Sequence, residues 1–241
     1  MFILFKPFII EIMKKIVLSC ASFVLKVFRN FKLLVIKSRL GGCGKDVVIA
    51  FPCKLSKPQN VFLSDYTLIQ PNTTFIMNNG CVRVGKWSVI ASNCTLITDN
   101  HIPSVGVNHR MLGRYHINDK VKDIILEEDC WAGAGVTLMS GAILRRGSIA
   151  AAGALVNKEV PPYAVVAGVP AKIIASVFSL EQILEHESYL YPEQERMSKE
   201  ELSVLFEKYY VGKKAIGASY LSQESINETK RHASMQFKVF S

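Results

Sequence analysis

Between Leu126 and Val156 the apolar positions fall into a period of six: Leu126, Ala132, Leu138, Leu144, Ala150 and Val156. Four residues after each of the first five stands a small side chain, in turn Cys130, Val136, Ala142, Ser148 and Ala154. A helix repeats its apolar residues at three and four, a strand at two, and neither gives this spacing. A solenoid does, each six-residue unit being one short strand and one turn, with three units to a coil. The large residue then points inward and the small one fits the corner. The rhythm also runs through Leu63, Ile69 and Phe75, with Thr67, Thr73 and Asn79 at the corner positions. It continues through Val84, Ile90 and Leu96, with Ser88 and Cys94. Ile49 and Leu55 start the series. The nine-residue step from Phe75 to Val84 predicts an extra turn near Asn78-Asn79-Gly80. From Leu96 to Leu126 the pattern lapses for about thirty residues, which predicts a loop extruded over about 98–123, a place where repeat proteins carry function.

The pattern changes beyond the repeat. Ser179-Leu180-Glu181-Gln182 and Ser198-Lys199-Glu200-Glu201 have the form of capping boxes and predict helices over about 179–190 and 198–210. Residues 211–241 are polar and without period, and are expected to be a flexible tail. Residues 1–40 read as a basic, apolar helical segment: eight lysines and arginines stand against the single acid Glu11. Its longest uncharged apolar run, Ile16 to Leu25, is too short for the roughly twenty residues that span a bilayer. Such a helix suits an anionic membrane surface, or it covers the open end of the stack or a neighbouring subunit. Val17-Leu18-Ser19-Cys20 also loosely imitates a lipoprotein cleavage site.

The segments Ile124-Ile125-Leu126-Glu127-Glu128-Asp129-Cys130-Trp131-Ala132-Gly133-Ala134-Gly135, Gly153-Ala154-Leu155-Val156-Asn157-Lys158-Glu159-Val160-Pro161-Pro162-Tyr163 and Ala167-Gly168-Val169-Pro170-Ala171-Lys172 carry a resemblance. Across about residues 43–177 the chain resembles the hexapeptide-repeat acyltransferases, and within them the maltose, galactoside and polysaccharide O-acetyltransferases. The resemblance implies a mainly β fold, a left-handed parallel β-helix, here with an N-terminal helical segment, an extruded loop and C-terminal helices. It implies acetyl-CoA as co-substrate, a homotrimer with active sites between subunits, and a sugar or glycan acceptor. The expected activity is O-acetylation of a sugar hydroxyl in surface polysaccharide biosynthesis. The location expected is cytoplasmic, with contact at the inner face of the membrane through residues 1–40.

The chemistry is expected in the loop. Transfer from a thioester to a hydroxyl needs a base to take the hydroxyl proton, and histidine, with an ordinary pKa of about 6.5, suits that task. His101 directly follows the last upstream hexad, so the coil anchors it better than His109 or His116. The resemblance likewise puts the catalytic base at this junction. Alternation along a strand puts Asp99, and not Asn100, on the side of His101. Asp99 is thus either the group that orients the imidazole or a turn residue where the coil ends. Arg110 and Arg114 either recognise an anionic acceptor or form a solvated face.

Gly133-Ala134-Gly135 and Ala150-Ala151-Ala152-Gly153 offer a small-residue surface that an extended cofactor arm can approach. The resemblance gives Ala134 and Ala152 hydrogen bonds to the coenzyme A arm, and gives Lys158 and Lys172, with Asn157 beside them, the nucleotide phosphates. Plain packing and surface charge are the alternatives. Trp131 could line the same groove. No metal is expected, because the three loop histidines crowd into one segment. His186 and His232 read as surface residues. The six cysteines show no paired spacing and read as reduced thiols. The net charge of +9 does not point to nucleic acid, since the positive charge concentrates on an apolar helix. Two other functions stay open: N-acylation of an amino sugar or nucleotide sugar, and a non-catalytic scaffold at a membrane.

Overall fold

The computed structural model describes residues 5–218 together with 222, 224, 225, 227, 228 and 231; side chains are described from Lys14 onward, except Ile16. His232 and most of the expected tail lie outside these residues.

The hexads wind into a three-faced β-solenoid of about six turns. One face stacks Gly42–Cys43, Val61–Leu63, Val82–Val84, Ile124–Leu126, Ile143–Leu144 and Glu159–Val160 in parallel. The second begins at Val48–Ile49 and runs through Trp131–Ala132 and Ile149–Ala150 to Ala164–Ala167, where Lys172–Ser176 turns back antiparallel. The third stacks Lys54–Leu55, Thr74–Ile76, Thr95–Ile97, Thr137–Leu138 and Leu155–Val156.

Register explains the rhythm. Trp131 pairs with Ile149 and Thr137 with Leu155, one coil of three hexads apart. Upstream, Val61 pairs with Val82 and Thr74 with Thr95, so that coil holds three extra residues, the turn anticipated at 78–80. Arg83 pairs with Ile125, so the whole extruded loop is inserted without disturbing the stack.

All the inward hexad residues from Leu63 to Val156 are buried, Ala132 and Ala150 among them. The corner residues are buried too, and their polar atoms are satisfied. Thr67 donates to the Ser64 carbonyl at 2.7 Å, Thr73 to that of Gln70 at 2.8 Å, and Ser88 to that of Glu127 at 2.7 Å. Asn79 departs from expectation: it is exposed, and the buried residue of that bend is Gly80, where a Cβ would come within 2.6 Å of Thr98 Cβ.

Helix α1 (Phe5–Arg39) touches the first coil only near its C-terminus. Leu33, Ile36 and Leu40 pack on the core, and Lys37 donates to the Val47 carbonyl at 2.5 Å. Val17, Phe23, Val24, Phe28, Phe31 and Leu34 remain between 60% and 67% exposed. Among the described residues, no helix is long and apolar enough to cross a membrane.

The other end of the stack is covered. Helix α2 (His109–Tyr115) lies in the extruded loop, and α3 (Leu180–Leu190) and α4 (Lys199–Leu205) follow the solenoid. Both capping boxes form, on Ser179 and Ser198, and α4 continues as a helical turn, Phe206–Tyr210. Ile183 and Leu202 pack on Tyr163, Val165, Ala175 and Val177. Glu187, 1% exposed, ties the cap down. It accepts from Tyr163 Oη and Met197 N, each at 2.8 Å, and pairs with Arg146 at 3.1 Å. His186 is not an ordinary surface residue: it packs on Phe178 and Tyr163 and meets Asp129 at 3.3 Å. Past Val211 the chain is still held, with Gly217 N donating to the Val177 carbonyl and Ser176 N to that of Lys214.

Candidate active site

The extruded loop leaves the third face after Thr95–Ile97 and re-enters the first face at Ile124. Its two ends pair with each other. Asp99–His101 runs antiparallel to Asp119–Val121, with His101 opposite Asp119. Between them, Asn108 caps α2 by accepting from Met111 N at 3.0 Å, Leu112 buries, and His116 closes the helix in a left-handed conformation.

This hairpin register builds a charge-assisted cluster. Asp119 Oδ1 lies 2.7 Å from His101 Nδ1, and its Oδ2 lies 2.8 Å from His116 Nδ1. The Asp119 side chain is 6% exposed, while both imidazoles are 43% exposed. Hydrogen bonding to His101, then to His116, holds the Asp119 carboxyl below the usual carboxylate range, so it is ionised at neutral pH. An ionised carboxylate only accepts. Each Nδ1 must therefore carry the proton, and neutral His101 is left with its lone pair on Nε2. Gly113 of α2 lies alongside: a Cβ there would sit 3.7 Å from Nε2, in ordinary contact, so the approach is lined by a residue with no side chain.

Asp99 does not hold the imidazole. Its carboxylate accepts from Asn78 N at 2.8 Å, from Asn79 N at 3.1 Å, and from Thr98 Oγ1. Partial burial pushes its carboxyl up, but these bonds outweigh that and bring it down. Asp99 is the turn residue that fixes the bulge. The orienting carboxylate is Asp119, eighteen residues from His101 and invisible to local alternation. Only the acid's position in the loop and the nearby left-handed residues His116 and Asn118 hint at the turn that delivers it.

His101, His116 and Asp119 are also the types that ligate a metal, and one atom from each lies within 4.8 Å of the others. In the geometry present, both Nδ1 atoms are spent on carboxylate oxygens. Arg110 and Arg114 stand exposed on α2, the latter 5.6 Å from the Tyr115 ring centroid. Cys130 is buried, which pushes its thiol up to about 12, and Cys53 goes to about 11 for the same reason; neither is a ready nucleophile.

The expected cofactor residues fall in two places. Trp131, 52% exposed, stands on the second face, and Ala134 and Ala152 follow the edge between that face and the third. Successive coils touch there, with Gly153 N donating to the Ala134 carbonyl at 2.9 Å, and a Cβ at Gly133 would come within 2.8 Å of Ala152 N. Asn157 and Lys158 lie on the edge between the third and first faces, the edge from which the His101 loop emerges. With Lys172 they line a cleft under the C-terminal cap, together with Lys208 and Lys213, lysines not singled out from the sequence. One chain therefore carries its candidate base and its small-residue stripe on different edges.

No family profile matches the chain. A Saccharomyces cerevisiae protein named provisionally as an acetyltransferase is 26% identical over 148 residues, 61% of this chain and 72% of that one. A Lysinibacillus sphaericus protein named a probable macrolide acetyltransferase is 36% identical over 118 residues, 42% of this chain and 62% of that one, less than two thirds of its length. A galactoside acetyltransferase solved in complex with coenzyme A shares the fold, with a TM-score of 0.52 at 22% identity over 68% of this chain and 75% of that one. With the hexad solenoid, the chain is thus similar to acetyltransferases, and it shares its fold with those of the hexapeptide-repeat kind.

Proposed function

We propose that the protein is an acetyl-CoA-dependent O-acetyltransferase that acetylates a sugar hydroxyl in surface polysaccharide biosynthesis, with His101 as general base. The observation that carries this reading is the 2.7 Å contact between Asp119 Oδ1 and Nδ1 of the partly exposed His101 ring: the carboxylate accepts the Nδ1–H bond, and the lone pair of the neutral ring is left on Nε2. The acceptor hydroxyl gives its proton to Nε2 as its oxygen attacks the thioester carbonyl. The tetrahedral oxyanion is stabilised by backbone N–H groups. As the C–S bond breaks, the Nε2 proton passes to the departing thiolate, which restores the neutral imidazole. Such a base is worth about 10²- to 10⁴-fold in rate.

Trp131, Ala134 and Ala152 line the pantetheine arm, and Lys158 and Lys172, beside Asn157, meet the phosphates as point charges. Because the small-residue stripe and His101 occupy different edges, a groove between two copies would join them, which supports a homotrimer. Arg110 and Arg114 face an anionic acceptor. The donor is a cytosolic metabolite, so the enzyme works in the cytoplasm, at the inner face of the membrane.

The test is free thiol released from acetyl-CoA with a panel of sugars, for wild type and His101→Ala. Turnover by wild type alone with sugars that carry hydroxyls and no amine, unaltered by a chelator, is the expected result. Release only with amino sugars would reassign the chain as an N-acyltransferase, and neither release nor coenzyme A binding would leave a scaffold.

A further inference from the structure

Helix α1 sorts its side chains by chemistry. At about 100° per residue, Phe23, Val24, Val27, Phe28, Phe31 and Leu34 share an arc of roughly 140°. All six are exposed. Lys14, Lys15, Lys26, Arg29 and Arg39 share the opposite side, which Leu18 and Leu25 interrupt. No acid occurs from residue 12 to 39.

Near the C-terminus of the helix the basic side meets the solenoid. Leu33 and Ile36 pack on the first coil, Lys37 donates to the Val47 carbonyl, and Lys32 lies 5.2 Å from the Phe51 ring centroid. Most of the apolar arc therefore lies away from the first coil, with cations along both of its margins; Phe23 and Phe28, at its two edges, also border an open cleft with Phe51 and Pro52.

We infer that α1 docks the protein on an anionic lipid bilayer, lying in the plane of the headgroups with its Phe-rich arc inserted. Charge decides between this occupant and a second copy of the chain. Bundled copies would bring these cations together with only Glu11 on each helix to offset them. An anionic surface offsets all of them. A basic polar face with aromatic and aliphatic residues opposite is what an interfacial helix needs. The inference stands apart from acyl transfer, and its test reads no turnover.

The full-length protein is sedimented with vesicles of phosphatidylglycerol and phosphatidylcholine, and with vesicles of phosphatidylcholine alone. Wild type should pellet with the anionic vesicles and weaken as salt rises. Each cation near such a surface is worth about five-fold in partitioning, so Lys26→Glu/Arg29→Glu should bind at least about 25-fold more weakly. Phe28→Glu/Phe31→Glu, at exposed positions that leave folding intact, should lose binding. Equal partitioning of wild type and the Phe variant would overturn the inference. So would a wild type that stays in the supernatant while the Phe variant shrinks from a larger to a smaller assembly in sedimentation velocity, since that result gives the arc to a second copy.

Discussion

Asp119→Asn keeps the size and shape of the side chain at the centre of the cluster and removes only its charge. The carboxylate now accepts from two imidazoles, one on each oxygen, at 2.7 and 2.8 Å. An amide has one acceptor and one donor end, so only one of the two histidines can keep its Nδ1–H bond. When the amide nitrogen faces His101, the ring proton moves to Nε2 and the base is lost. When the oxygen faces it, the tautomer survives, but the imidazolium formed during proton transfer lacks its counter-charge. Charge-assisted bonds are about twice as strong as neutral ones, so this second state is also slowed; together the two effects predict a fall in kcat of about 10- to 10²-fold. His101→Ala removes the base outright and should cost about 10²- to 10⁴-fold, or about 2.7 to 5.4 kcal/mol of barrier. The assay is steady-state thiol release from acetyl-CoA with the acceptor saturating. The KM for acetyl-CoA should hold, because Asp119 touches neither candidate cofactor surface. Combining Asp119→Asn with His101→Ala should be no slower than His101→Ala alone, since residues acting as a unit are not additive. An unchanged kcat in Asp119→Asn, or a double variant that loses the product of both factors, would refute the assignment.

Gly113→Ala should keep full activity and firm α2 by about 1 kcal/mol, whereas Gly113→Leu should lower kcat/KM at least about ten-fold by covering His101 Nε2, with melting temperature as the control for folding. Asp99 and Asp119 both have folded-state carboxyls below their ordinary value of 3.8. Their contribution to stability is therefore complete above that value and lost as pH falls through the lower folded values. Thermal melts should be flat from neutral pH down to the usual carboxylate range and fall steeply below it, and Asp99→Asn should soften that fall. Glu187→Ala leaves Arg146 without its buried partner and Tyr163 Oη without an acceptor, at a cost of about 3–5 kcal/mol, readable in urea unfolding; a change under about 1 kcal/mol would mean that the pair behaves as a surface one.

The solenoid was legible because every hexad places one residue inward and one at a corner, where size leaves little choice. The C-terminal helices were legible because Ser179 and Ser198 announce their own starts. The place of His101 at the start of the loop was legible because it adjoins the last hexad before it. Asp119 could not be found, because its partnership depends on hairpin register across a helix and two left-handed turns. Asp99 pointed the wrong way for a related reason: alternation puts it on the right side of the strand, but the amides of Asn78 and Asn79, brought near by the previous coil, claim its oxygens first. His186 looked superficial because Phe178, Tyr163 and Asp129 reach it from other parts of the chain. In each case local pattern was readable and long-range capture of a polar group was not.

The separation of the His101 loop from the Ala134 and Ala152 stripe has a genetic consequence. If both edges serve one reaction, no polypeptide owns a complete reaction centre. Two inactive alleles, one without the imidazole and one with its stripe blocked by bulky side chains, would restore activity when co-expressed, because mixed assemblies would contain intact junctions. A single defective allele beside a normal one would in turn poison part of the pool.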